Sequence, residues 1–146
     1  METSSKRPTI IADASALVSL AVASDVNHYA ALTGTRDYEQ AGGVLMIPGE
    51  LFAETINLIG KKFGHQAAYR AGRFLCTTPA FVISPTSTDT HNQALEFFQT
   101  VAAGVSYTDC LVMAAADHYG TQDIFGFDDI FHKRGYRALR PLDKAA

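Results

Sequence analysis

At 146 residues the chain has the length of one domain. Apolar types make up 47% and charged types only 18%, which excludes an intrinsically disordered chain, and no apolar run approaches the ~20 residues of a membrane span. With Lys+Arg 12 against Asp+Glu 15 the formal net charge is -3, which argues against bulk electrostatic attraction to nucleic acid. Residues 1–8 read as a flexible N-terminus, residues 9–141 as a single domain and residues 142–146 as a flexible tail.

Thr9-Ile10-Ile11-Ala12 is a compact apolar strand, followed at once by a helix over 14–21. Lys6-Arg7 before this stretch and Ala21-Val22-Ala23-Ser24 after it outline a secretory leader. Pro8 and Asp13 speak against that outline, because an acid in the apolar region opposes membrane insertion, and a cytoplasmic protein is the better reading. A less regular helical pattern covers 26–40. Val44-Leu45-Met46-Ile47 is a second strand, stopped by Pro48-Gly49. The helix expected over 50–63 places Leu51, Ile56, Leu58 and Ile59 near one face, with Lys61-Lys62 at the end where the macrodipole favours cations. Another helix covers 66–75. Phe81-Val82-Ile83-Ser84 is a third strand, ended by Pro85, and a helix over 89–102 follows. The segment 107–118 holds Leu111, Met113, Ala114, Ala115 and Ala116 and is closed by Gly120, a strongly helix-prone pattern. Ile124-Phe125-Gly126-Phe127 is a fourth strand and Tyr136-Arg137-Ala138-Leu139 a weaker fifth before Pro141.

These strands do not alternate polar with apolar, which predicts burial on both faces as in parallel sheets. Alternating strands and helices predict an α/β fold, a three-layer α/β/α sandwich around a mostly parallel sheet of about five strands with right-handed crossovers. Cys76 and Cys110 both stand in apolar surroundings and read as two reduced core thiols.

In open parallel sheets, ligands sit beyond the carboxyl ends of the strands. Asp13 lies just past the first strand and Asp128 just past the fourth. Glu54 stands a turn into the helix after the second strand, and Asp109 in the first turn of the alanine-rich helix. No local motif links the four, so only the fold can bring them together. Each has a structural explanation: Asp13 as a helix cap, Asp109 as the acid of a capping box with Ser106, Asp128-Asp129 as turn and cap residues, and Glu54 as a surface acid. Convergence of all four is less easily explained that way, because two carboxylates ~5 Å apart repel by roughly 3 kcal/mol at an effective dielectric near 20. Such a cluster requires protonation or a bound cation. All-oxygen ligation suits a hard ion, Mg²⁺ or Mn²⁺, which activates water and neutralises phosphoryl charge in phosphodiester hydrolysis. Ser15, Thr108 and Ser106 read as supporting hydroxyls or caps rather than nucleophiles.

Four segments together resemble the PIN-domain nucleases. They are Ile10-Ile11-Ala12-Asp13-Ala14-Ser15, then Pro48-Gly49-Glu50-Leu51-Phe52-Ala53-Glu54, then Ser106-Tyr107-Thr108-Asp109 opening the alanine-rich helix, and finally Phe125-Gly126-Phe127-Asp128 followed by Gly135 and Pro141. The short single-domain form is most similar to the VapC-type toxin ribonucleases of toxin–antitoxin pairs. The resemblance implies a PIN-like nuclease domain over 9–141. It implies a Mg²⁺-dependent endoribonuclease, with Mn²⁺ able to substitute, whose catalytic and metal-binding residues are Asp13, Glu54, Asp109 and Asp128. It further implies an RNA substrate cut to 5′-phosphate and 3′-hydroxyl ends, a cognate antitoxin and a homodimer. One departure is Gly126, where many members carry Ser or Thr two residues before the fourth acid. The missing hydroxyl loosens the expected hold on the attacking water and favours an alternative, a catalytically weak PIN-like module that binds RNA or protein. Asp129 and Glu50 are local rivals of Asp128 and Glu54, and Glu50 reads better as a helix-start acid.

Lys61, Lys62, Arg70, Arg73, Lys133 and Arg134 are candidate RNA-binding residues, supplying local positive patches that the net charge lacks. The five histidines are scattered without metal-ligand spacing and read as surface or capping residues. Surplus apolar residues between Glu50 and Leu75 fit a second copy or an antitoxin helix.

Overall fold

A computed structural model describes residues 7–138. The elements run β1 (Thr9–Ala12), α1 (Ala14–Ala21), α2 (His28–Gln40), β2 (Val44–Pro48), α3 (Gly49–Phe63), α4 (His65–Thr77), β3 (Phe81–Ser84), α5 (Thr88–Thr100), α6 (Tyr107–Tyr119), β4 (Asp123–Phe125), α7 (Asp129–Lys133) and β5 (Arg137–Ala138). The five strands form one sheet in the order β3-β2-β1-β4-β5, and every neighbouring pair is parallel. The expected fold class is therefore the observed one.

Successive strand residues serve opposite faces, which makes the sandwich three-layered. Ile11 and Ile124 pack with Ala94 of α5, Phe131 of α7 and the buried run Cys110 to Ala116 of α6. Their chain neighbours Ala12 and Phe125 turn the other way, to Leu17 of α1, Ala31 of α2 and Leu75 of α4. Helix α6 is buried almost all round, which explains a composition of Ala, Leu, Val and Met with little polar relief. A smaller cluster of Ile59, Ala68 and Ala71 joins α3 to α4.

Several expectations require correction. Strand β3 is an edge of the sheet, so Val82 and Ile83 are exposed rather than buried on both faces. On α3 the inward stripe is Leu51, Thr55 and Ile59, one residue per helical turn, and this rotates Leu58 to 43% exposure. Leu75 takes the inward position on α4, so Cys76, next along the helix, faces out. Only Cys110 is a core thiol, and both are unpaired. Helix α2 begins at His28 instead of residue 26, because Asp25 holds a turn there, accepting from the Asn27 amide at 2.8 Å. Strand β4 ends at Phe125, so Gly126 and Phe127 lead out of the sheet towards Asp128. Leu139, Pro141, the tail 142–146 and residues 1–6 of the expected N-terminal segment lie outside the described residues.

Candidate metal centre

Strand order determines where the acids meet. From β1 the chain builds outward through β2 and β3 on one side, then returns to place β4 and β5 on the other. The switch point therefore lies between β1 and β4, whose carboxyl ends open a crevice. Asp13 leaves β1 and Asp128 follows β4 at that crevice, and the N-terminus of α6 brings Asp109 to it. One carboxylate oxygen from each of Asp13, Asp109 and Asp128 lies within 4.8 Å of the other two.

Helix starts position all three residues, yet capping does not consume the side chains of Asp13 and Asp128. Both stand at N-cap positions, of α1 and α7, without a side-chain cap bond. For α6 the cap is Ser106, whose Oγ accepts from the Asp109 amide at 3.1 Å. The Asp13 amide donates to the Phe125 carbonyl at 2.9 Å, tying the start of α1 to β4. Asp13 is only 4% exposed, and its carboxylate accepts from Ser15 Oγ at 3.1 Å.

Crowding shows in the acidities. Burial, then the charge of Asp128, pushes the Asp13 carboxyl up to about 6, against downward pulls from Ser15 and the Ala14 amide. Burial also lifts Asp109, to about 7, helped by its hydrogen bond to Asp128 and by the charges of Asp13 and Asp128. Glu54 on α3 is half-buried and stays outside this close group, near enough for its charge to add a small upward push on Asp13. Among the described residues, no Lys, Arg or His forms an ion pair with any of these acids. The donors are carboxylate oxygens without nitrogen or sulfur, a set that fits a hard divalent cation.

The family model for the PIN domain matches residues 10–135. This chain belongs to the PIN domain family. The fold of this PIN domain is similar to that of VapC20 from Mycobacterium tuberculosis, a toxin that cleaves the sarcin–ricin loop. The two share 25% identity at a TM-score of 0.77, over 90% of this chain and 99% of that one. No curated protein matches it in sequence.

Gly126 of this PIN domain has a packing role. A Cβ there would lie 2.8 Å from the Phe131 ring and 2.9 Å from Asp13 Cβ, so only glycine lets the exit of β4 pass directly against Asp13. The remaining sequence candidates divide. Ser15 touches Asp13, whereas Thr108 bonds Ser106 Oγ at 3.2 Å. Lys61 and Lys62 line an open groove of about 530 Å³ that begins beside the acids at Ser15 and Phe127. Arg134 is held by Thr100 at 2.8 Å and lies 5.9 Å from the Phe97 ring centroid, while Lys133, Arg70 and Arg73 are exposed and line no part of that groove.

Glu50 turns away from the aspartates. Its Oε1 accepts from Thr86 at 2.7 Å and its Oε2 pairs with His91 Nε2 at 3.0 Å, and His91 Nδ1 meets the Tyr107 hydroxyl at 2.6 Å. Burial alone would raise the Glu50 carboxyl, but the Thr86 and His91 bonds outweigh it and hold it below the usual range. This polar chain was missed from sequence, where His91 read as a surface or capping residue. Its members sit on α3, α5 and α6 and in the loop after β3, so no local spacing could have announced it.

Proposed function

We propose that this PIN domain is a metal-dependent endoribonuclease and the toxin of a toxin–antitoxin pair. Asp13, Asp109 and Asp128 hold Mg²⁺ or Mn²⁺, and Glu54 completes the site directly or through water. The observation that carries the reading is the convergence of three carboxylates within 4.8 Å, with no cationic side chain among the described residues paired to them. A divalent ion bound there neutralises charge on a phosphoryl oxygen and lowers the pKa of a water ligand, the chemistry of phosphodiester hydrolysis. Ser15 holds one Asp13 oxygen in place. Lys61 and Lys62 line the groove leading to the acids and supply the positive charge that an RNA backbone needs beside an acidic centre.

VapC20 is a sarcin–ricin loop cleaving toxin, and an RNA loop is the substrate class proposed here by similarity. Leu58, Phe63, Tyr69 and Phe74 are exposed on α3 and α4, a face suited to an antitoxin helix or to a second copy in a homodimer. A cytoplasmic location follows from an RNA substrate, and among the described residues no helix is long and apolar enough to cross a membrane. The binding-module alternative drew on Gly126, and the close approach to Asp13 and Phe131 gives that glycine a packing reason of its own.

The test is Mn²⁺-stimulated cleavage of structured RNA by the parent chain and by Asp13→Asn and Asp109→Asn. Both variants are expected to fold and to lose cleavage. Undiminished cleavage by the double variant refutes the reading, and RNA binding without metal-stimulated turnover in the parent returns the binding module.

A further inference from the structure

Glu54 and Asp109 stand on helices with little direct connection. Helix α3 packs on α4 and α1, whereas α6 packs on α5, and Leu51 is the buried α3 residue that enters the cluster around α6. The polar link between the two helix starts runs through His91. On α3, Glu50 lies one helical turn before Glu54, on the same face. On α6, Tyr107 shares the first turn with Asp109.

The imidazole is held from both sides. Facing a carboxylate, Nε2 donates to Glu50 at 3.0 Å, and Nδ1 meets the Tyr107 hydroxyl at 2.6 Å. The two rings lie parallel, 2° between their planes and 6.0 Å between centroids, and Thr86 donates to the other Glu50 oxygen. One imidazole thus bridges a carboxylate on α3 and a hydroxyl on α6. It also occupies the second carboxylate of α3, so that Glu54 alone is left to approach the aspartates.

We propose that His91, clamped between Glu50 and Tyr107, is a positioning residue that fixes Glu54 relative to Asp13, Asp109 and Asp128 and thereby sets the site's affinity for its cation. The inference rests on the metal reading above. His91 bonds no ligand directly, so its effect should be smaller than the about 10–100-fold typical of a ligand's own hydrogen-bond partner.

Mn²⁺ binding, measured by calorimetry without RNA, tests it in His91→Ala, Tyr107→Phe and Glu54→Gln backgrounds. His91→Ala is expected to weaken Mn²⁺ binding severalfold in the parent, less than loss of a direct ligand partner would. Tyr107→Phe, which keeps the ring, shifts it the same way by less. In Glu54→Gln neither substitution changes affinity further, because the residue they position is gone. Cleavage falls in kcat with KM for RNA unchanged. Parent-like Mn²⁺ affinity in folded His91→Ala, or an equal loss in the Glu54→Gln background, overturns the proposal. If His91→Ala fails to fold, Tyr107→Phe decides by the same comparison. Unaltered Mn²⁺ binding in Asp13→Asn with Asp109→Asn overturns the metal reading itself, a separate result.

Discussion

Strand β4 separates two groups of carboxylates that solve the same electrostatic problem in opposite ways. At its start, Asp123 Oδ1 accepts from Arg137 Nε at 2.7 Å and Oδ2 from the Tyr38 hydroxyl at 3.1 Å, and the charge is met by partners within the fold. Beyond its other end, Asp128 faces Asp13 and Asp109, and among the described residues no positive side chain pairs with any of the three. Folding could have placed an arginine there as it did at Asp123. A cluster left short of positive charge must take up protons or a cation, whereas a compensated carboxylate needs neither.

The comparison breaks most directly by neutralising one acid at each end. Asp109→Asn is expected to reduce metal-dependent RNA cleavage by roughly a hundredfold or more, exceeding the usual effect of an outer partner. The same change raises the melting temperature of the metal-free protein at pH 8, because it removes a repelling charge. Asp123→Asn should do the reverse, lowering stability by about 1 kcal/mol through weakened bonds to Tyr38 and Arg137 while cleavage persists. Cleavage assays and melting curves on the two variants check the crossing. Matching behaviour would erase the distinction between the two ends.

A pH titration sharpens it. The folded-state acidities of Asp13 and Asp109, at about 6 and about 7, stand above the unfolded value of 3.8. The folded chain therefore binds more protons than the unfolded chain between these limits. Stability from these two groups is fully present below about pH 4 and is lost as pH rises through 6 and 7. Metal-free melting curves should accordingly lose several degrees of this contribution between pH 5 and pH 8 relative to Asp13→Asn with Asp109→Asn. Mn²⁺ should restore more at pH 8 than at pH 5, since it competes with protons for the same oxygens.

Much of the architecture was legible because strands and helices differ in period and punctuation. The runs at 9–12 and 81–84, and the helix at 14–21, end where the chain itself places Asp13, Pro85 and Val22. Side-chain direction was less legible. Leu58 and Cys76 are apolar residues on amphipathic helices, but a neighbour one position away took the inward place. The acids illustrate the same limit at the site. A cap and a metal ligand share one backbone position, and Asp13 and Asp128 differ from true caps only in where the carboxylate points. Family-like motifs singled them out; spacing alone could not. Glu50 and Tyr107 stand inside family-like segments that gave them no role and His91 in none, and their meeting follows from the packing of α5 against α6 and the path of the loop after β3.

Gly126 marks the seam between the two ends of the comparison. Gly126→Ala forces a Cβ to within 2.8 Å of Phe131 and 2.9 Å of Asp13, and the expected loss is about 1–3 kcal/mol of stability, as for other overpacked sites. Because Asp13 Cβ must give way, Mn²⁺ affinity should fall as well. A destabilised variant with parent-like Mn²⁺ affinity would show that Phe131 absorbs the whole displacement.

Ser15→Ala has the smallest expected effect and isolates the one neutral hydroxyl bonded to the acid group. Its Oγ donates to Asp13 Oδ2 at 3.1 Å and pulls that carboxyl down against burial and the charge of Asp128. Without it, Asp13 holds its proton to higher pH, and a cation must displace that proton to bind. Mn²⁺ affinity at pH 6 should therefore drop severalfold, in line with about 1 kcal/mol for a single hydrogen bond to a charged or half-charged group. At pH 8 the deficit should shrink, because Asp13 is ionised there with or without its partner. A deficit independent of pH would mean that the hydroxyl acts on the geometry of the carboxylate rather than on its proton, and calorimetric titrations at the two pH values separate these roles.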